Sequence, residues 1–206
     1  MSMKKRGLLI GLAVLLCLSG ILGRIWYLNA GREDTVTKIY PMGEMVSFED
    51  DYFYRDDEIR NQYAVRVDSS IVMPVEEYLD SVGLTKEEVW PDGDSIITDI
   101  VAVEVTIWNN NTDKENDNQY FDLFNTTIMS QGDIYQIEHE LLWAMYPKLD
   151  QSTFGFRIAP STEYTIVLPF HVLSWQQTNS EKIKEKENYL LLSMYPVKKM
   201  IRVIPE

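Results

Sequence analysis

Ile96-Ile97-Thr98-Asp99-Ile100-Val101-Ala102-Val103-Glu104-Val105-Thr106-Ile107-Trp108-Asn109 carries the strongest strand signal in the chain. Val101, Val103, Val105 and Ile107 fall on one side of an extended backbone, while Glu104 and Thr106 point to the other. The run stops in Asn109-Asn110-Asn111-Thr112-Asp113, whose Asn and Asp residues tolerate turn geometry. A strand this apolar needs a covered face, and the flanking sequence supplies further strands to cover it.

Upstream, Met45 to Phe48 reads as a short first strand, and Tyr52 to Arg60 as a loop. Tyr63, Val65, Val67, Ile71 and Met73 then alternate with Arg66, Asp68 and Ser70, the period-two pattern of a strand with one buried face. Pro74 opens a short helix in which Val75, Tyr78, Leu79 and Val82 share one stripe, closed by Gly83. Thr85 with Glu88 makes a capping box for one further turn, ending near Trp90-Pro91.

Downstream, Asn125 to Gln131 and Asp133 to Ile137 flank Gly132 as a hairpin. Glu138 to Tyr146 reads as a short helix with Leu141, Leu142 and Met145 inward, ended by Pro147. Phe154 to Ile158 and Tyr164 to Leu173 are expected to pair across Ala159-Pro160-Ser161-Thr162. Pro169 lacks a ladder donor and marks an edge or a bulge. Gln176 to Asn188 is a polar segment, with Trp175 before it placed to cover a sheet edge. Tyr189 to Tyr195 and Met200 to Ile204 form the final pair. These elements predict a mainly all-β domain, a β-sandwich with two short helical insertions.

The N-terminus differs in kind. Gly7 to Leu28 is one apolar stretch behind Lys4-Lys5-Arg6, with no acidic residue before Glu33. As a helix it would be roughly 33 Å long, enough to cross a bilayer core of about 30 Å. The basic cluster favours a cytoplasmic N-terminus. Arg24 can snorkel to the outer headgroups, where Trp26 and Tyr27 would sit at interface level. A signal peptide cleaved near Cys17-Leu18-Ser19 would leave an apolar start, Ile21 to Leu28, on the mature chain. A lipoprotein signal would want a small residue where Leu16 stands. The expected order is therefore a cytoplasmic tail (1–6), a transmembrane signal anchor (7–28), a linker (29–43) and an extracellular β-sandwich (44–206).

Several segments carry a resemblance. They are Tyr40-Pro41-Met42-Gly43-Glu44, Val101 to Asn110, Arg157-Ile158-Ala159-Pro160-Ser161-Thr162-Glu163, Leu168-Pro169-Phe170, and Leu192 to Arg202. With the basic leader and anchor before them, they resemble uncharacterised membrane-anchored, immunoglobulin-like extracellular domains of Firmicutes. The resemblance implies an immunoglobulin-like sandwich outside the membrane and brings no activity with it. Pro74 to Gly93 is an insertion relative to the simplest such sandwich.

Charge narrows the function. The first 32 residues hold five of the 19 basic residues and no acidic one, so the remainder sets 14 against 32 acidic residues, a net −18. Such a surface repels phosphate backbones, which argues against nucleic acid as a partner. Cys17, the only cysteine, lies in the apolar stretch, so the domain has no thiolate nucleophile and no zinc-thiolate set.

Other chemistry is sparse. Glu138-His139-Glu140 is not a His-Glu-x-x-His motif, and neighbouring helical residues diverge, so a solvated helix face is the reading. His171 alternates with Phe170 and Val172 and belongs on a strand's outer face. The acidic stretches Glu49-Asp50-Asp51, Asp56-Asp57-Glu58, Asp92-Asp94 and Asp113-Glu115-Asp117 lack the EF-hand pattern. No Gly-x-Ser-x-Gly elbow or glycine-rich phosphate cradle occurs. No catalytic residue, cofactor or metal site is expected.

Tyr52, Phe53 and Tyr54, set between acidic residues, are the candidate partner-binding aromatics. The expectation is a non-enzymatic binding or accessory module of the cell envelope, bound to the bilayer through residues 7–28 and facing another envelope protein. The alternative is a calcium- or ion-responsive domain that uses the acidic loops.

Overall fold

The computed structural model describes residues 3–30, 35–54, 61–91, 93, 96–112, 121–123, 125–149 and 155–206. Two compact units result, Met1–Asp34 and Thr35–Glu206. The first is helix α1 (Met3–Ala30). Its side chains are described at Gly11 and at 14–27, where Leu15, Leu16, Leu18, Ile21, Leu22 and Ile25 are all exposed. Among the described residues no helix is long and apolar enough to cross a membrane. Positions 14–27 alone span only about 21 Å of helix.

The second unit is a β-sandwich. It begins with β1 (Val36–Tyr40), β2 (Val46–Ser47) and β3 (Tyr63–Pro74), followed by helices α2 (Val75–Val82) and α3 (Lys86–Val89). Next come β4 (Ile97–Asn109), β5 (Phe121–Asp122), β6 (Thr127–Ser130), β7 (Asp133–Gln136) and helix α4 (His139–Met145). The chain finishes with β8 (Gly155–Phe156), β9 (Glu163–Leu173), helix α5 (Ser180–Glu185), β10 (Asn188–Ser193) and β11 (Val197–Val203). One sheet runs β1-β11-β10-β6-β7 and the other β2-β3-β4-β9, with β5 and β8 pairing separately. The main core lies between the sheets. Val65, Val103, Val105, Leu168 and Phe170 face it from one side, and Ile128, Tyr135, Leu190 and Ile201 from the other.

The four-stranded sheet is also covered on part of its outer face. Ile100, Ala102 and Ile97 pack there with Val75, Tyr78 and Leu79 of α2, Val89 of α3 and Leu141 of α4. The unbroken apolar run Ile100 to Val103 belongs to this doubly covered end, whereas beyond it Glu104 is half-buried and Thr106 is buried among polar side chains. At the polar end Thr106 Oγ1 donates to Asp68 Oδ2 at 2.6 Å and lies 2.9 Å from Thr165 Oγ1. The helices of the segment that looked like an insertion, α2 and α3, therefore cover this second core together with α4.

A register shift between Val67 and Ser69 corrects the single-face reading of β3. The bulge inserts one residue, so every side chain beyond it changes face. Val65 and Val67 remain between the sheets with Val72, while Ile71 and Met73 turn toward the helices.

Strand pairing brings a second correction. Tyr164–Leu173 does not pair with the segment before it: β9 runs antiparallel to β4, and β8 joins β5. A long strand burying Ile166, Leu168, Phe170 and Val172 needs a long partner, and β4 pairs with it from Glu163 to Leu173. The connecting turn latches onto β4 instead, Ser161 N donating to Asn109 O at 2.9 Å and Asn109 N to Thr162 O at 2.9 Å. Phe154 lies outside the described residues.

Pro169 sits, as expected, in a sheet-edge strand. Its carbonyl accepts from Glu138 N at 2.7 Å, where the chain leaving β7 crosses to the other sheet.

Two further elements depart from expectation. β1 lies within the stretch read as linker and pairs in parallel with β11. It is exposed along most of its length, so no alternation betrays it. The polar segment Gln176 to Asn188 holds α5, where Asn179 caps the start and only Ile183 is buried. The hairpin at Gly132 (φ +85°), the αL cap at Gly83 and the Thr85–Glu88 capping box all occur as read.

Candidate binding cleft

The outer face of the five-stranded sheet carries a cleft of about 540 Å³. Strands β6 and β7 send Met129, Ile134 and Gln136 outward into it, since Ile128 and Tyr135 are turned into the core. The loop after β2 contributes Phe53 and Tyr54, and the β10–β11 turn contributes Met194 and Tyr195.

Backbone hydrogen bonds hold those two segments together. Tyr52 N donates to Tyr195 O at 2.6 Å, and Tyr52 O accepts from Met194 N at 2.8 Å and Tyr195 N at 2.9 Å. The Tyr52 and Tyr195 rings lie 6.2 Å apart.

The three aromatic candidates thus have three different positions. Phe53 is 2% exposed and packs on Leu191 and Met200, a small core of its own with Met129 and Met194. Tyr52 is half-buried. Tyr54 is 75% exposed and Tyr195 44%, so these two are the rings available to a ligand. Tyr195 escaped sequence reading because its neighbourhood comes from a partner loop far away in the chain. Arg24, Trp26 and Tyr27 are exposed on α1.

Lys199 fastens the aromatic loop from below. Its side chain is 1% exposed, and Nζ donates to Ser47 O at 2.9 Å, Phe48 O at 3.2 Å and Glu49 Oε2 at 2.6 Å. Nζ also pairs with Asp51 Oδ2 at 2.7 Å, and Asp51 Oδ1 accepts from Val197 N at 3.1 Å. Burial pulls the Lys199 ammonium down, but its charge-assisted contacts to the Asp51 and Glu49 carboxylates outweigh it and leave the pKa raised. The hydrogen bond from Lys199 lowers that of Glu49. In Glu49-Asp50-Asp51 the cation partnering Glu49 and Asp51 is therefore the protein's own lysine. Sequence held a usable signal: Lys199 occupies the same parity as Val197, Ile201 and Val203, whose side faces the core.

At the cleft's far end, Glu138 and His139 diverge as neighbours must. His139 lines the cleft, its pKa lowered by burial, with its ring 6.0 Å from Trp143. Glu138 turns the other way and accepts from Trp90 Nε1 at 3.2 Å, while its other oxygen lies 2.8 Å from His171 Nδ1. Toward an ionised carboxylate, which can only accept, His171 Nδ1 is the donor of this contact. His171 is on the sheet's outer face, tied to α4 and α3 through this one carboxylate.

Glu138→Leu is expected to lower stability by about 1–3 kcal/mol, because it strands both donors. Urea unfolding of the purified chain measures this, and an unchanged midpoint would show the clamp to be idle. Among the described residues no group of three or more His, Cys, Asp or Glu is arranged to hold a metal. Asp56-Asp57-Glu58, Asp92, Asp94, Asp113, Glu115 and Asp117 lie outside the described residues.

Residues 37–199 match a family described as a domain of unknown function, DUF5028. The chain belongs to the DUF5028 family. The DUF5028 match opens inside β1 and closes at Lys199, taking in both sheets and the cleft and leaving α1 outside.

Two solved structures are similar. One is an uncharacterised β-sandwich protein from Clostridium difficile 630, 11% identical, covering 83% of this chain and 97% of its own at a TM-score of 0.39. The other is the yjhA protein from Bacillus subtilis, 11% identical, covering 80% of this chain and 98% of its own at a TM-score of 0.38. No curated protein matches the chain.

Proposed function

We propose that this DUF5028 protein is a single-pass membrane protein whose sandwich lies outside the cytoplasm and binds another envelope protein, without catalysis, through the Tyr54–Tyr195 cleft. The observation that carries the binding is the convergence of two exposed rings with Met129, Met194 and Ile134 on a cleft at the outer sheet face. Thioether and aromatic groups adapt to apolar partners, and rings lose little entropy when they bind. The occupant is an apolar segment of a protein, because the cleft's described lining is uncharged apart from a histidine whose burial favours the neutral form.

The anchor is supported by α1, whose described large apolar side chains, Val14, Leu15, Leu16, Leu18, Ile21, Leu22 and Ile25, are all exposed. Trp26 and Tyr27 would then stand at the outer interface with Arg24 snorkelling beside them. The immunoglobulin-like reading is supported by connectivity. β4 and β9 pair in one sheet, β6, β10 and β11 in the other, and β1 adds in parallel to β11.

Carbonate washing should leave the chain in the membrane fraction, and its release would overturn the anchor. For the cleft, in-cell crosslinking and capture of the full chain should recover one specific envelope protein. Tyr54→Ala/Tyr195→Ala should lose it while the domain still folds cooperatively, since neither ring is buried in the core. A partner that survives in the variant would sink this interface.

A further inference from the structure

Lys199 and Asp51 bring an amine and a carboxyl group together out of water. Their side chains are 1% and 5% exposed, and Nζ stands 2.7 Å from Oδ2. That oxygen is buried and meets no donor at a hydrogen-bonding angle, so the contact is close without being aligned. We propose that the two side chains condense, joining Lys199 Nζ to Asp51 Cγ in an amide and releasing water.

The step balances without any further reagent. One ammonium proton passes to Asp51 Oδ2, giving a neutral amine beside a neutral acid. The nitrogen lone pair attacks Cγ, forming the C–N bond and placing negative charge on Oδ1. Val197 N, which donates to Oδ1 at 3.1 Å, stabilises that charge as an oxyanion donor does. A second proton leaves the nitrogen through Glu49, whose Oε2 accepts from Nζ at 2.6 Å, and reaches Oδ2. The Cγ–Oδ2 bond then breaks and water departs. One N–H remains on the amide, beside the Ser47 and Phe48 carbonyls that the ammonium already meets at 2.9 and 3.2 Å.

Position drives the step. Well-oriented groups in one molecule can react as if at roughly 10⁵–10⁸ M, which offsets the preference of free ions to stay apart. Exclusion of water shields the product from hydrolysis. The raised pKa of Lys199 keeps the ammonium dominant, so the neutral pair is a minor species and closure is slow. The ion pair is the state before closure. The chain has no cysteine after Cys17, so no disulfide can tie the loop of Tyr52–Tyr54 to β11, and the amide does so instead. The inference stands whether or not the Tyr54–Tyr195 cleft holds a partner.

The test is intact mass spectrometry of the full chain in nonionic detergent, as isolated from cells and again after days at neutral pH. The closed chain weighs one water less than its sequence. Proteolysis should yield a branched fragment joining Asp51 to Lys199, with trypsin no longer cutting after Lys199. Lys199→Arg should keep the full mass, and so should the wild type held unfolded in guanidinium chloride. Glu49→Gln should close at least about tenfold more slowly. A folded wild-type chain that keeps its full mass throughout overturns the proposal, whatever the variants do. So does a water loss that maps to other residues or persists in Lys199→Arg. Closure at the wild-type rate in Glu49→Gln overturns the proton route through Glu49.

Discussion

Lys199→Met is expected to destabilise the domain by about 3–5 kcal/mol, because it leaves Asp51 buried without its cation. Asp51 is 5% exposed, so water cannot replace the ammonium. Three further acceptors, Ser47 O, Phe48 O and Glu49 Oε2, lose the same donor. Against a typical total of about 5–15 kcal/mol, that loss is a large share. Urea unfolding of the purified chain measures it, and a cost under about 1 kcal/mol would refute the buried pair. Adding Asp51→Leu should restore part of the loss, since removing both charges spares the burial of a lone one.

The same variant has a pH signature. The folded pKa of Lys199 is raised, so its contribution is complete below the ordinary value of 10.5 and fades as pH climbs through the folded value. The pKa of Glu49 is lowered, so its contribution is present above the ordinary value of 4.5 and fades as pH falls through the folded value. Lys199→Met should therefore flatten both limbs of the stability–pH curve. The alkaline limb should respond more, because Glu49 is largely exposed and screened by solvent. Loosening residues 47–54 should also weaken capture of the cleft's partner, although neither Tyr54 nor Tyr195 has changed.

Phe170→Ala should cost about 3–5 kcal/mol, the range for removing a buried aromatic side chain that its neighbours cannot replace. Phe170 is fully buried in β9, opposite Val101, with the core of both sheets around it. Its backbone also bridges Ile137, where the chain passes from one sheet to the other. Collapse into the space is therefore resisted from both layers. The measurement is again a denaturation midpoint. A shift equivalent to less than about 1 kcal/mol would mean that the sheets do not close over this residue.

Much of this molecule was legible in local pattern. Val101 to Ile107 alternate within a few residues, Gly132 and Gly83 take conformations suited to glycine, and Thr85 and Glu88 cap a turn through groups three positions apart. Such signals act over one turn of helix or one pleat of strand, so the chain states them directly. Partner choice is different in kind. That β1 joins β11, that β9 takes β4, and that a bulge at Asp68 turns Ile71 and Met73 over to the helices depend on surfaces distant in sequence. The site divides in the same way. Tyr52, Phe53 and Tyr54 announce an aromatic loop, but only packing against Leu191 and Met200 buries Phe53 while Tyr54 remains in solvent. Lys199 and Tyr195 acquire their roles from a loop roughly 150 positions earlier, because burial and charge pairing belong to the assembled fold and not to any single stretch of chain.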